Sequence, residues 1–250
     1  MDLIPDNAAL LVAILAAISL GALFKGMTGL GLPLFAVPAM AMLTSVENAV
    51  ILMIIPGIGA NLWVVYSRRQ HYPLIRQHYR FLIAGFIGGL LCTALLHIVP
   101  NRGLKILLAI WLAVYLVQYF SGKKGQALFH GRGKLSYVIG LIAGTTQGAT
   151  GISAQVIAPY YHGRSLQASQ YAFIVAFTFM VFSAAQMTGA ITNDLITQER
   201  LRLSLIALVP TLIFTRVGIS LADKISIDTF NKILLVVFFL MEIKLIMDVL

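Results

Sequence analysis

The chain has 250 residues, of which 59% are hydrophobic and only 11% charged, and its formal net charge is +9. A soluble domain carries about 25% charged and about 45–50% apolar residues, so this chain lacks the polar material to cover a water-facing surface. Its basic excess lies in short loops between apolar runs, without basic–aromatic interleaving, which points to membrane topology and not to a nucleic-acid partner.

In chain order, an acidic N-terminus (Asp2, Asp6) precedes the first apolar run, A, at about 8–24. A signal peptide has a basic leader, so run A reads as a retained membrane segment. The stretch KGMTGLG (25–31) interrupts the apolar sequence, and run B follows at about 32–43. Runs C (about 47–66), D (about 79–98) and E (about 103–120) complete a first set of five. A polar stretch, SGKKGQALFHGRGK (121–134), leads to a second set: A′ (about 135–146), B′ (about 154–161), C′ (about 168–189), D′ (about 203–221) and E′ (about 229–249). Several runs reach about 20 residues, the length a bilayer requires, and they show no strand-like alternation. Lipid offers no partner to open backbone groups, so the fold class is an all-α polytopic membrane protein.

The two sets echo each other. QGATGIS (147–153) repeats KGMTGLG, with Gly26, Thr28 and Gly29 matched by Gly148, Thr150 and Gly151. Pro38 and Pro159 follow at similar distances, and Lys105-Ile-Leu-Leu opens E as Lys232-Ile-Leu-Leu opens E′. The expected organisation is a first transmembrane repeat (1–122), a basic cytoplasmic linker (123–134) and a second repeat (135–250).

Loop charges bear on orientation. The C–D loop holds Arg68, Arg69, Arg76 and Arg80 without an acid, and the linker holds Lys123, Lys124, Arg132 and Lys134 without an acid. Both are expected in the cytoplasm, with the D–E loop (Arg102, Lys105) outside. The C′–D′ loop balances Asp194 and Glu199 against Arg200 and Arg202. That loss of bias fits inverted repeats, each a broken A/B hairpin plus three spans, with Leu250 outside. The alternative is a parallel repeat of four spans each, eight in total, with Leu250 inside.

Glycines cost a helix about 1 kcal/mol each relative to alanine. Two broken helices at membrane depth are expected to line a cavity. Each break starts a short helix whose free amides and dipole suit an anion. Lys25 and Thr28 add a charge and a hydroxyl to the first; Gln147, Thr150, Ser153 and Gln155 add uncharged donors to the second. Arg216, inside D′, offers a fixed planar cation. The same glycines also suit close helix packing, and Arg216 also suits snorkelling or pairing with Glu242. Asn61, Gln118, Gln170 and Gln186 read first as interhelical hydrogen-bond formers, and Trp63, Tyr66, Trp111 and Tyr115 as packing or interfacial anchors. Cys92 is a small buried hydrophobe. His71, His78, His97, His130 and His162 show no metal-ligand spacing, so no metal or cofactor is expected.

Lys25-Gly26-x-Thr28-Gly29-x-Gly31 ending the first helix, Gln147-Gly148-x-Thr150-Gly151 after a basic linker, and about 250 apolar residues around them resemble the TauE/SafE family. The resemblance implies a transporter of sulfite, thiosulfate or organosulfonates in the inner membrane of a prokaryote. It carries ligand binding to Lys25, Gly26, Thr28, Gly29, Gly31, Gln147, Gly148, Thr150 and Gly151. Ser153 stands where the first motif has Gly31. The expectation is a secondary transporter for a small anion, embedded in the lipid bilayer, with homo-oligomerisation left open. The competing readings are an intramembrane enzyme, for which neither a histidine nor an acid sits beside Thr28 and Lys25, and an accessory subunit of a membrane complex.

Overall fold

The computed structural model describes residues 8–121, 131, 133–222 and 227–249, of which 227–234 are described by backbone alone. Asp2, Asp6, Lys123, Lys124, His130, Arg132 and Leu250, and the side chain of Lys232, lie outside the described residues. Those that are described form helices α1 (Ala8–Thr28), α2 (Leu32–Leu43), α3 (Val46–Ser67), α4 (Pro73–Thr93), the short α5 (Leu95–Ile98), α6 (Asn101–Phe120), α7 (Leu135–Thr150), α8 (Ala154–His162), α9 (Ala168–Thr192), α10 (Gln198–Leu221) and α11 (Ile227–Met247). They match runs A to E and A′ to E′ in order, with D divided into α4 and α5.

Six helices among the described residues are long and apolar enough to cross a membrane: α1, α3, α4 with α5, α6, α9 and α10. Large apolar side chains stay exposed along their outer faces, such as Ile83, Ile87 and Leu91 on α4, and Leu205, Val209 and Ile213 on α10. Such faces would be intolerable in water and are ordinary against lipid. This is a polytopic helical membrane protein.

The short helices fold back on the long ones. Gly21 of α1 lies against Leu32 and Ala36 of α2, while Phe24 meets Gly31, so α1 and α2 form an antiparallel hairpin. Ser136 at the start of α7 lies beside Arg164, just past α8, giving a second hairpin of the same form.

Each long hairpin arm then packs on a helix from the other half of the chain. Gly26 sits against Thr215 and Gly218 of α10; a Cβ there would strike the Thr215 carbonyl and lie 2.8 Å from the Gly218 Cα. Gly140, Gly144 and Gly148 of α7 pack in register against Phe81, Gly85 and Gly89 of α4, so these two helices run parallel. Small residues here let backbones touch, which is how helices associate when lipid removes the hydrophobic drive between them.

Two further pairs run antiparallel. In α3 and α9, Gly57 lies near Ser183, while His71, past the end of α3, reaches Ser169 at the start of α9. In α6 and α11, Lys105 near the start of one pairs at 2.6 Å with Asp248 just past the end of the other.

The two ends of the bundle differ in charge. At one end, Arg200 pairs with Glu47 at 2.6 Å, and Arg200 also donates to Asn48 Oδ1. Lys105 and Lys244 share Asp248 there, and Arg102 donates to the Val249 carbonyl at 2.9 Å. The two lysines hold the Asp248 carboxyl below the usual aspartate range, hydrogen bonding from Lys105 being the larger cause. The other end carries Arg68, Arg69, Arg76, Arg80 and Arg164.

Candidate functional site

The two glycine motifs close their helices in the same way. The Thr28 hydroxyl donates to the carbonyls of Phe24 (3.0 Å) and Leu30 (2.7 Å) and accepts from the Leu30 amide. The Thr150 hydroxyl donates to Thr146 (2.7 Å) and Ile152 (3.4 Å) and accepts from the Ile152 amide. The next residue in each case is a left-handed glycine, Gly29 (φ 75°) or Gly151 (φ 71°). Its amide returns to the carbonyl of Lys25 or Gln147 at 2.7 and 2.8 Å. These are helix C-termini built from Thr-Gly, glycine supplying the positive φ and threonine satisfying carbonyls the helix leaves open.

This revises part of the sequence reading. The motif does not unwind from residue 25: helix continues through Thr28 and Thr150, and the break is confined to Gly29–Gly31 and to Gly151–Ser153. Both threonine hydroxyls are bonded to backbone.

The motifs nevertheless converge. A cavity is lined by Lys25 and Gly31 of the first and by Gln147 and Gly151 of the second, with Asn61 and Gly57 from α3 and Phe179, Ser183 and Gln186 from α9 completing its polar side. Leu32 and Pro33, opening α2, border it as well. The cavity volume is about 10 Å³, measured as the space open to the centre of a water-sized sphere, which is room for about one water.

Lys25 is 5% exposed. Its Nζ donates to Asn61 Oδ1 at 2.7 Å and lies 5.7 Å from the Phe179 ring centroid. Asn61 is itself fixed by donating Nδ2 to the Gly57 carbonyl at 2.7 Å. Across the cavity, Ser153 donates to Gln147 Oε1 at 2.7 Å, Gln147 Nε2 donates to Gln186 Oε1 at 3.3 Å, and Gln186 Nε2 donates to the Gln147 carbonyl at 2.9 Å. Lys25 with Asn61 thus joins α1 to α3, and Gln147 with Gln186 joins α7 to α9. The ion pairs among the described residues involve Glu47 and Asp248; none brings a carboxylate to Lys25.

A match to the family model "Sulfite exporter TauE/SafE" spans residues 13–245. The chain belongs to the TauE/SafE family. No curated protein and no solved structure matches it.

Within this TauE/SafE chain, the sequence-derived site residues fall into three groups. Lys25, Gly31, Gln147 and Gly151 line the cavity. Gly26, Thr28, Gly29, Gly148, Thr150 and Ser153 hold the helices that present it. Gln155 and Arg216 lie elsewhere: Gln155 donates to the Trp111 carbonyl at 3.4 Å, and Arg216 is exposed with its guanidinium 5.7 Å from the Trp63 ring centroid. Sequence reasoning ranked Asn61 and Gln186 as ordinary interhelical bond formers and passed over Ser183. A buried amide one span beyond each motif was the available signal.

Proposed function

We infer that this chain is a secondary transporter that carries a small oxyanion, in the class of sulfite, thiosulfate or an organosulfonate, across the cytoplasmic membrane. The observation that carries the reading is Lys25: a buried lysine facing a cavity, held by a neutral amide. A buried charge is costly unless it is compensated, and an anion in the cavity compensates it. The Asn61 and Ser183 side chains, with the first turn of α2, supply further donors to such an ion. The description of the family as sulfite exporters supports the same substrate class.

We take residues 1–122 and 135–250 as inverted repeats joined by the basic linker 123–134. Two kinds of contact support inversion. Both short helices return in hairpins, leaving an odd number of crossings per half. The self-corresponding pairs, α3 with α9 and α6 with α11, run antiparallel, as a two-fold axis in the membrane plane requires; a parallel repeat would align them. The cavity then lies on that axis near the midplane. It is too small for an oxyanion as it stands, so carriage requires the hairpins to part from α3 and α9 on one side at a time.

The test is flux of labelled sulfite, thiosulfate and small sulfonates into liposomes containing the purified protein. Uptake above empty vesicles that is lost in Lys25→Met supports the reading. Uptake equal to empty vesicles for all these anions overturns it.

A further inference from the structure

Helices α3 and α10 run side by side in the same direction, and their two ends differ. Near their start, Arg200 meets Glu47 and Asn48, and Ser204 donates to the Leu52 carbonyl at 2.8 Å. Further along, Leu208 fills the space beside Gly59, and Arg216 lies over Trp63. The cation at the start is thus neutralised within the protein, and the cations at the other end are not.

Arg216 stands among exposed apolar side chains, Leu212, Ile213, Val217 and Ile219, with its guanidinium 5.7 Å from the Trp63 ring centroid. The Arg69 guanidinium lies 5.0 Å from the Tyr66 ring centroid. Trp63 and Tyr66 are three residues apart, so they are neighbours on one face of α3. Both rings are exposed, at 57% and 59%. Both arginines are exposed as well, and among the described residues neither guanidinium has a hydrogen bond or an ion pair. Five residues, about 7.5 Å, separate Arg216 from Leu221 at the end of α10, so its guanidinium reaches the headgroup layer from within an apolar span. Exposed Trp and Tyr favour that same layer, and their faces steer the cations there. A guanidinium at such a place is costly unless an anion meets it.

We propose that the face formed by Trp63, Tyr66, Arg69 and Arg216, at the α3–α10 edge, is a binding site for an anionic phospholipid. The two guanidinium groups meet the headgroup phosphate with charge and planar donors. The acyl chain lies against the exposed side chains of Leu62 and Leu212. Charge selects the anionic lipid over a zwitterionic one. The two arginines carry no compensating acid, and Arg68, Arg76 and Arg80 add to the positive field at the same end, so a headgroup with its own cation gains less.

Tryptophan fluorescence of the full chain in phosphatidylcholine vesicles tests this. The protein has two tryptophans; Trp63 is in the site, and Trp111 is partly buried and bonded to the Ile152 carbonyl. Phosphatidylglycerol with a brominated acyl chain is expected to quench more strongly than brominated phosphatidylcholine at the same mole fraction. That preference should disappear in Trp63→Phe and weaken about tenfold in Arg216→Gln and in Arg69→Gln, each losing one charge-assisted contact. Both arginines are exposed and unbonded, so these variants fold. Arg76→Gln, an exposed arginine at the same end, should keep the preference. Equal quenching by the two lipids, a preference unaltered in Arg216→Gln, in Arg69→Gln or in Trp63→Phe, or an equal loss in Arg76→Gln, which marks diffuse attraction without a site, overturns the proposal.

Discussion

Lys25 and Asn61 meet at 2.7 Å inside the bundle, one from the end of α1 and the other from the last third of α3. Asn61 holds the ammonium without neutralising it, and its own Nδ2 is fixed on the Gly57 carbonyl. Removing the charge and removing its holder are therefore different experiments. Lys25→Met is expected to abolish anion flux while leaving a folded protein, because a flexible apolar chain of similar length replaces a buried cation. Asn61→Leu leaves the ammonium without its acceptor and is expected to destabilise the protein by about 1–3 kcal/mol. Flux in liposomes and thermal unfolding in detergent separate the two.

The threonines of the twin motifs are bonded to backbone, so Thr28→Val and Thr150→Val are expected to act on stability before function. Each loses its hydrogen bonds to backbone carbonyls and should cost about 1 kcal/mol. Thr150 should cost more than Thr28, because Thr150 is buried and Thr28 exposed. Unfolding temperatures that do not change, with substrate affinity lost, would instead return the hydroxyls to the ligand.

Gly144 and Gly148 touch the α4 backbone through Gly85 and Gly89. Gly144→Leu and Gly148→Leu are expected to prevent the α4–α7 contact and to abolish the monodisperse protein in size-exclusion chromatography. Gly133, where a Cβ would meet nothing within 4 Å, is the control: Gly133→Ala is expected to cost only the strain of its φ of 62°.

Arg102 and Lys105 reach the chain's far end at Val249 and Asp248, so the D–E loop and the C-terminus share one face. In a Cys92→Ala background, a cysteine at Val249 is expected to react with an impermeant maleimide from outside the cell, and one at Arg68 only from inside. Labelling of both from the same side would end the inverted arrangement.

Asp248 has its carboxyl held low by Lys105 first and Lys244 second. A depressed acid contributes its stabilisation above its unfolded value, 3.8, and loses it only as pH falls through the still lower folded value. The α6–α11 clasp is thus expected to stay intact from pH 5 to 8, and any pH dependence of flux in that range should persist in Asp248→Asn. A flux profile flattened by that substitution would contradict this.

The sequence by itself determined the class, the helices and the family. Run length against bilayer thickness identifies a membrane protein, and run B at 32–43 coincides with α2, because Gly31 before it and Thr44 after it are local stop signals. The twin Thr-Gly motifs are local too, and they carried both the expectation of a repeat and the resemblance. Only the tertiary structure decided what each motif residue faces. In a lipid-embedded helix the core side and the lipid side are both apolar, so periodicity does not reveal the buried face. Gly26 and Gly148 turned toward α10 and α4, Arg216 turned outward, and Lys25 found Asn61 thirty-six positions away. Those outcomes depend on which helices become neighbours, and the first half of this chain packs largely on the second.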